Sequence, residues 1–385
     1  MQNIIGYIES SLETIGDTGF SPVDSLVLSE LSYLQFENIV PADGGTVPIG
    51  EILRSELFEN MLRNVPDREN NRQMIYRLAA SPRFRSIPML YYACECNRTA
   101  EKQFAALTYL LPDGTAYVAY RGTDTTVIGW KEDFKMAYVC PVPAQEEGVS
   151  YLNRIGSMTA RPLRVGGHSK GGNIAVYSSM MCSPEVRGRI IDIFSHDGPG
   201  FREEIIKSEE FRQIRPRIRK TVPQSSLIGM LLQNQERFNI VESSSFWIMQ
   251  HDPFSWRIRD GDFVYSEKKS VGAAGHMNRA LNEWINGLSD EDRERFVDTL
   301  FRMVSATGVD TFTELSADWR HYTHVLFRAM RDLDPDSKKI MRQIIRELAL
   351  LTVKKIKLSV GPQRIKSRLI HSSEAKRKKE TEAAM

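Results

Sequence analysis

The chain contains 385 residues, of which 41% are hydrophobic and 26% are charged. This composition is typical of a globular protein, and it excludes an intrinsically disordered chain and a small scaffold held by disulfides. The formal net charge is only +2, so we expect no overall attraction to nucleic acid or to a membrane. The charge is unevenly spread, because residues 353–385 contain ten Lys or Arg and three Glu. This basic tail carries +7 and leaves the rest of the chain at −5.

The cysteines predict a reducing compartment. Four are present, Cys94, Cys96, Cys140 and Cys182, too few and too irregularly spaced for a disulfide framework. The N-terminus has no basic residue before its short apolar stretch, unlike a secretory signal. No apolar run reaches the roughly 18 to 20 residues that are needed to span a bilayer. We therefore expect a cytoplasmic protein.

The patterns along the chain predict four parts. Residues 1–85 have the pattern of helices separated by turns and are expected to pack on the core as an extension. Residues 86–275 form the predicted core. Residues 276–352 form a predicted C-terminal helical region, in which Ser289 is the expected cap of a helix. The basic tail, residues 353–385, is expected to be flexible.

The predicted core begins with three runs rich in β-forming residues, Pro88–Cys96, Phe104–Leu111 and Thr115–Arg121. Pro112-Asp113-Gly114 is a tight hairpin signal, so an antiparallel meander is expected. Beyond residue 147, short apolar runs alternate with helical patterns such as Arg202–Ile214. This alternation predicts an α/β fold with a mostly parallel central sheet covered by helices.

The segment Gly167-His168-Ser169-Lys170-Gly171 follows a predicted strand and opens a predicted helix. In this Gly-x-Ser-x-Gly pattern the serine sits on a sharp, strained turn, and side chains at 167 and 171 would collide with neighbouring backbone. The turn would expose the Ser169 hydroxyl at the carboxyl edge of the sheet. It would also bring the Lys170 backbone N–H to a helix start, where it can stabilise an oxyanion. The other interpretation is a simple glycine-rich turn, which the flanking strand and helix disfavour.

Four motifs together resemble the class 3 lipase branch of the α/β-hydrolases, and more closely a bacterial lipase-like family of unknown function. They are YRGTD at Tyr120–Asp124, GHSKGGN at Gly167–Asn173, HDGPGF at His196–Phe201 and QHDPFSW at Gln250–Trp256. The resemblance covers about residues 20–310 and leaves the basic tail out. It implies an α/β-hydrolase fold with Ser169 as the nucleophile, and it leaves the substrate open.

The resemblance also indicates an oxyanion residue. Thr123 matches that position of class 3 lipases, and its backbone N–H and hydroxyl could both point at a developing oxyanion beside the Lys170 N–H. The alternative is that Arg121–Asp124 merely forms the turn that closes a strand.

A serine nucleophile needs a base within hydrogen-bond reach. In these hydrolases the serine comes first in the chain, then the acid, then the histidine. This order leaves two histidines as candidates for the base, His251 and His276. His251 is favoured because it lies in a loop-like segment that matches the family motif, whereas His276 opens a predicted helix. His168, next to the serine, is expected to point away along the turn.

The acid departs from the family pattern. Class 3 lipases imply an aspartate near Lys220–Gly229, and no carboxylate is present there. Asp197, at the end of the preceding strand, is the best replacement, because some hydrolases carry the acid one strand earlier. Asp252 is the second choice. Asp197 is alternatively a turn residue that stabilises the glycines that follow it.

No cofactor or metal is predicted. The chain has no glycine-rich loop of the nucleotide-binding kinds, and the His321/His324 pair lacks the acid and the third ligand of a zinc helix. The basic tail is either a solvated segment or a contact to anionic membrane, worth about 1 kcal/mol per basic residue near the surface. Nucleic-acid binding is disfavoured because aromatic residues are not interleaved among the basic ones.

The function indicated is a serine hydrolase, similar to lipases and carboxylesterases, that cleaves an acyl ester of a lipid or other small molecule through a covalent acyl-enzyme. The rival hypothesis is a catalytically inactive α/β-hydrolase-fold protein that binds partners or acts as a scaffold at a membrane surface. The missing carboxylate near Ser225 and Ser226 motivates this rival. Acyl length, head group and oligomeric state are left open by the sequence.

Overall fold

The computed structural model describes most of the chain up to residue 338. The described residues are 1–97, 99–226, 228–232, 237–245, 247–266, 287–309, 311, 319–335 and 337–338. The chain divides into two compact units, Met1–Asp332 and Leu333–Met385. Of the second unit only residues 333–335 and 337–338 are described, so the basic tail lies outside the described residues, and the predicted four-part division stays a prediction.

The described part of the chain contains an eight-stranded sheet whose strands lie side by side in sequence order. The first four strands pair antiparallel and the last four extend the sheet in parallel. The strands are β1 (Val47–Pro48), β2 (Pro88–Asn97), β3 (Lys102–Leu110), β4 (Ala116–Tyr120), β5 (Leu163–His168), β6 (Ile190–His196), β7 (Ile218–Pro223) and β8 (Phe238–Val241). A separate antiparallel pair is formed by β9 (Ile258–Arg259) and β10 (Asp262–Phe263). The predicted α/β-hydrolase fold, with a meander before a mostly parallel sheet, is confirmed.

Helices precede, connect and follow the strands. They are α1 (Ile4–Ser10), α2 (Ile15–Thr18), α3 (Pro22–Leu31), α4 (Phe58–Met61), α5 (Arg68–Ala80), α6 (Val127–Lys135), α7 (Pro143–Met158), α8 (Lys170–Met181), α9 (Pro184–Arg189), α10 (Glu203–Ile206), α11 (Glu209–Ile214), α12 (Asp290–Ser305) and α13 (Trp319–Asp332). Short 3₁₀ turns lie at Ile49–Ile52, Ser55–Leu57, Arg215–Arg217, Trp247–His251 and Pro253–Ser255. Ser289 caps α12 as predicted, because its side chain accepts a hydrogen bond from the Asp292 N–H.

Two local expectations were wrong in detail. The single helix predicted over Arg202–Ile214 is divided into α10 and α11, because the Ser208 side chain accepts from the Phe211 N–H and starts a new helix. The N-terminal segment is not purely helical, since β1 pairs with the beginning of β2. The helices predicted from Asn278 and over Asp336–Leu358 fall largely outside the described residues.

The alternation of side chains along β4 shows that both faces of the sheet are covered. Tyr117 and Ala119 belong to a buried apolar cluster with the N-terminal helices. Val118 and Tyr120 belong to a second cluster with α7 and α8 on the opposite face. Successive residues of a strand point to opposite faces, so the N-terminal segment forms one covering layer of the central sheet.

The parallel strands bring the chemistry-bearing residues to one edge. β5 and β6 pair in register, with His168 opposite His196 at their carboxyl ends. Ser169 and Asp197 directly follow these two residues, so both leave the sheet at the same edge. In open α/β sheets this carboxyl edge is where ligands usually bind.

A buried ion pair fastens the N-terminal layer. The Arg83 guanidinium donates from Nε to Asp24 Oδ1 at 2.7 Å and from Nη2 to Asp24 Oδ2 at 2.6 Å. The Asp24 side chain is fully buried, and the Arg83 side chain is 5% exposed. A buried guanidinium that loses its carboxylate partner is strongly destabilising.

Replacing Asp24 by Asn is therefore expected to lower the free energy of unfolding by about 3 to 5 kcal/mol. Urea denaturation at neutral pH measures the change. The matched control is Glu69→Gln, which removes the carboxylate of the exposed Arg72–Glu69 pair and is expected to cost less than about 1 kcal/mol. Equal losses in the two variants would show that the Asp24–Arg83 pair does not stabilise this layer.

Candidate active site

Ser169 occupies a strained turn between β5 and α8. Its backbone has φ +56° and ψ −130°, a conformation that a residue with a side chain adopts only when the surroundings impose it. The Ser169 N–H donates to the carbonyl of His196 at 2.9 Å, which ties the turn to the end of β6. The serine is 8% exposed, so its hydroxyl lies in a nearly enclosed environment.

The two glycines of the pattern permit close backbone contacts. A Cβ atom at Gly171 would lie 2.1 Å from the carbonyl oxygen of Tyr120, and one at Gly167 would lie 2.3 Å from the carbonyl carbon of Gly171. Both distances are shorter than any ordinary van der Waals contact. Glycine at 167 and 171 therefore lets the end of β4, the end of β5 and the start of α8 meet.

Ser169, His251 and Asp197 form one hydrogen-bonded row. His251 ends the 3₁₀ turn Trp247–His251, and its Nε2 lies 2.9 Å from Ser169 Oγ. Its Nδ1 lies 2.6 Å from Asp197 Oδ2. The Asp197 side chain is fully buried, and the His251 side chain is 25% exposed. The arrangement can pass a proton from the hydroxyl to the imidazole, with a carboxylate that fixes the ring tautomer.

The region without a carboxylate contributes a hydroxyl instead. Ser226 Oγ donates a hydrogen bond to Asp197 Oδ1, while Asp197 Oδ2 faces His251. The Asp197 N–H in turn donates to the Thr221 carbonyl at 2.8 Å. The segment after β7, where the sequence was expected to supply an acid, thus holds an acid that comes from β6.

Asp252 and His276 were the second choices for the acid and the base. The Asp252 carboxylate accepts from the Phe254 N–H at 3.0 Å and caps the turn Pro253–Ser255. Burial raises the Asp252 pKa to about 6. No hydrogen bond joins its carboxylate to the His251 ring among the described residues. His276 lies outside the described residues.

The two oxyanion candidates, Lys170 and Thr123, differ in which of their hydrogen-bond donors can reach an oxyanion. Lys170 is the first residue of α8, so its backbone N–H has no intrahelical acceptor. The Thr123 hydroxyl donates to the Asp133 carboxylate, so only the Thr123 backbone N–H is left to act as an oxyanion donor. This corrects the expectation that the hydroxyl also points at an oxyanion. Burial raises the Asp133 pKa to about 6, so this carboxyl is ionised above that pH and holds the hydroxyl.

The Lys170 side chain has a structural partner that the sequence did not indicate. Its Nζ lies 3.0 Å from Glu132 Oε2, and both side chains are almost fully buried. Burial lowers the Lys170 pKa, but Glu132 and Asp133 outweigh burial and raise it overall. Glu132 also accepts from the N–H groups of Gln103 and Ala144. The side chain after the serine thus fastens α6 to the elbow.

The His168 side chain was expected to point away along the turn, but it lies against His251 instead. Its ring lies against the His251 ring, with centroids 4.7 Å apart, and Nε2 is 3.0 Å from the His251 carbonyl oxygen. Nδ1 lies 3.1 Å from both Tyr33 Oη and Glu30 Oε1. Sequence reasoning missed Glu30, although a lone acid within the apolar run Leu26–Leu34 was a signal of a buried polar contact.

The described ranges contain neither a metal-binding cluster nor a helix that could cross a membrane. Within them, no group of three or more His, Cys, Asp or Glu is arranged to hold a metal ion. Within the same ranges, no helix has the length and apolar character needed to cross a membrane. Of the predicted His321/His324 pair, His324 is exposed and the His321 side chain lies outside the description.

Gly171→Ala tests the close approach at the elbow. The added Cβ would meet the Tyr120 backbone, so we expect the free energy of unfolding to fall by at least about 2 kcal/mol, as measured by urea denaturation. Gly188→Ala is the matched control, since nothing lies within 4 Å of its added Cβ and alanine favours the helix by about 0.5 to 1 kcal/mol. If G171A were as stable as G188A, the proposed contact would be wrong.

Three solved lipase structures are similar to the chain. A fungal lipase in an inhibitor complex is 12% identical, with 57% of this chain and 77% of that chain covered and a TM-score of 0.36. The lipase of Rhizomucor miehei in complex with its propeptide is 12% identical, with coverages of 44% and 66% and a TM-score of 0.31. The M37 lipase is 13% identical, with coverages of 55% and 70% and a TM-score of 0.36.

The family comparison gives a firmer result than the single structures. No curated protein matches the sequence. The model of the Mbeg1-like family matches residues 78–302, a stretch that includes β2–β10, the elbow, Asp197 and His251. Because this match spans more than half of the chain, the protein belongs to the Mbeg1-like family, a lipase-like family of α/β-hydrolases.

Proposed function

We propose that the protein is a serine ester hydrolase, similar to lipases and carboxylesterases, with Ser169 as nucleophile, His251 as base and Asp197 as acid. One observation supports this more than any other: the unbroken hydrogen-bonded row from Ser169 Oγ through His251 to Asp197. Fold and family add that the protein is lipase-like. The three residues come from the carboxyl ends of β5 and β6 and from a 3₁₀ turn more than 50 residues later.

In the proposed first step, Ser169 Oγ attacks the acyl carbonyl carbon while its proton moves to His251 Nε2. Asp197 accepts the hydrogen bond from Nδ1–H, which keeps Nε2 free to take that proton and stabilises the resulting imidazolium. The tetrahedral intermediate collapses when Nε2–H gives its proton to the leaving alcohol oxygen. The products of this half-reaction are the free alcohol and an ester of Ser169.

The second half-reaction releases the acid. A water molecule takes the place of the alcohol, gives a proton to His251 Nε2 and attacks the acyl carbon. The second tetrahedral intermediate expels Ser169 Oγ, which recovers the proton from His251. The negative charge in both intermediates would be stabilised by the Lys170 N–H at the start of α8 and by the Thr123 N–H. No cofactor takes part in this scheme.

The proposed substrate is an acyl ester of a lipid or of another small molecule. The lipase-like family supports this class of substrate. Nucleic acid is not expected as a partner.

Fluorophosphonate labelling tests the nucleophile, since such a probe reacts covalently with a serine that a base activates. We expect the wild-type protein to be labelled at one serine and Ser169→Ala to be unlabelled. Replacing His251 by Gln or Asp197 by Asn is expected to slow ester hydrolysis on the order of 10⁴-fold. Ser150→Ala, which removes an exposed serine hydroxyl on α7, is the matched control and should label like the wild type.

Two outcomes would contradict the assignment. A folded wild-type protein that remains unlabelled would favour the rival function, an inactive hydrolase-fold protein that binds partners or acts as a scaffold. Loss of activity in Asp252→Asn together with retained activity in Asp197→Asn would assign the acid to Asp252 instead.

We propose separately that the basic tail contacts anionic membrane surfaces. Deletion of residues 353–385 removes the +7 charge and is expected to abolish sedimentation with vesicles that contain phosphatidylserine, while Ser169 labelling is unchanged. Vesicles of phosphatidylcholine alone are the control, because an electrostatic contact needs the anionic lipid. Loss of labelling in the folded truncated protein would show that the tail is needed by the site.

The cytoplasm is the proposed location. The four cysteines, Cys94, Cys96, Cys140 and Cys182, are too few and too irregularly spaced for a disulfide framework, as is typical of proteins in a reducing compartment.

A further inference from the structure

Both ring nitrogens of His168 face oxygen atoms that can only accept hydrogen bonds. Nε2 lies 3.0 Å from the backbone carbonyl oxygen of His251, and Nδ1 lies 3.1 Å from the carboxylate atom Glu30 Oε1. A neutral imidazole carries a hydrogen on one nitrogen only. With that hydrogen on Nε2, Nδ1 would turn a lone pair toward Glu30 Oε1 and accept a hydrogen bond from the Tyr33 hydroxyl, 3.1 Å away. The imidazolium form instead donates from Nδ1 to that hydroxyl and brings its positive charge to Glu30 Oε1, a buried atom with no hydrogen-bond partner among the described residues.

The environment of His168 supports the charged form. Its side chain and that of Glu30 are each 6% exposed, so the attraction between them is little weakened by solvent. Burial lowers the His168 pKa, but the Glu30 carboxylate, with smaller contributions from Asp197 and the His251 carbonyl, outweighs burial and raises it above the ordinary value of 6.5. A carboxylate and an imidazolium at this distance neutralise each other inside the protein.

We propose that the Glu30–His168 ion pair is a positioning device for the base His251. The inference rests on the proposed function, because it assigns a role in placing the residue that activates Ser169. His168 holds His251 at two points: its Nε2–H donates to the His251 backbone carbonyl, and its ring lies against the His251 ring. Among the described residues, no hydrogen bond joins the side chain of Glu30 or His168 to Ser169 Oγ, so the pair would act on the nucleophile through His251.

One half of this pair, Glu30, comes from outside the region that the family model matches, while His168 lies inside it. Glu30 lies on α3 (Pro22–Leu31), and Tyr33 follows two residues after that helix, whereas the match begins at residue 78. The contact therefore assigns a role in the active site to the N-terminal layer. The close packing of Gly122 supports it, since a Cβ at that residue would lie 2.0 Å from Tyr33 Oη and 2.6 Å from the His168 carbonyl oxygen.

Other charged groups also face His168, and each affects its protonation. Glu30 approaches from α3, while Asp197 and the neutral His196 lie at the end of β6. His251 and Asp252 approach from the segment around the 3₁₀ turns. Only Glu30 has its carboxylate oxygen within ion-pair distance of a His168 ring nitrogen among the described residues. Glu30 is therefore the group whose removal tests the device.

Glu30→Gln keeps the shape of the side chain and removes its charge. We expect kcat for a soluble ester to fall about 10- to 100-fold, which is the loss that a small displacement of a reacting group produces, with KM within about 2-fold of wild type. The rate of fluorophosphonate labelling should fall by the same factor as kcat, since both depend on the base. Glu30→Asp restores the carboxylate and should recover part of the loss. Glu51→Gln, the same change at an exposed residue of the N-terminal segment, is the matched control.

The ionisation of His168 can be measured without activity. Nitrogen NMR of wild-type protein at pH 6.0, below the ordinary histidine pKa, assigned through the backbone resonances, should show both His168 ring nitrogens protonated. In Glu30→Gln the same ring should be neutral at this pH, because burial then disfavours the charge without an opposing carboxylate. This readout separates an ion pair from a contact that only fills space.

The outcomes separate this inference from the proposed function. If the wild type is not labelled by the fluorophosphonate, the proposed function fails, whatever the state of His168. If the wild type is labelled and folded E30Q reacts at the wild-type rate, the positioning role is wrong while the hydrolase assignment stands. If E30Q does not fold, the wild-type spectrum decides: a neutral His168 ring overturns the proposal, and a doubly protonated ring supports it.

Discussion

The elbow around Ser169 depends on a close approach of backbone segments that leaves no room for side chains at Gly167 and Gly171. The Tyr120 carbonyl at the end of β4 lies where a Cβ of Gly171 would be. This contact sets the start of α8 against the strand ends, and the resulting turn gives Ser169 its positive φ. The Ser169 hydroxyl then lies within hydrogen-bond distance of His251, and the first N–H of α8 has no intrahelical acceptor.

The features that were predictable from sequence are local ones. Glycine spacing, the hairpin at Pro112–Gly114 and the Ser289 cap each depend on a few consecutive residues, whose conformational preferences are strong. The division of Arg202–Ile214 into two helices was missed, although its cause, the Ser208 cap, is also local. The predicted residues Ser169, His251 and Asp197 do lie together, since parallel strands end at one edge.

What sequence reasoning could not supply are contacts between segments far apart in the chain. Glu30 and His168 are separated by 138 residues, and nothing in either neighbourhood indicates the other. The side chain of Lys170 reaches Glu132 through the interior, and the Thr123 hydroxyl finds a carboxylate on α6. Burial of a polar group requires a partner, but the sequence does not say which one, because the answer depends on how the layers pack.

The N-terminal layer also bears on which part of the chain can fold by itself. Ser25 Oγ on α3 lies 2.9 Å from His196 Nε2, and burial holds the pKa of that neutral imidazole at about 3. A fragment limited to residues 78–302 would open this buried ring to water, together with Tyr117 and Phe194 beside it. We therefore expect the family-matched stretch to need the helices that precede it in order to fold stably.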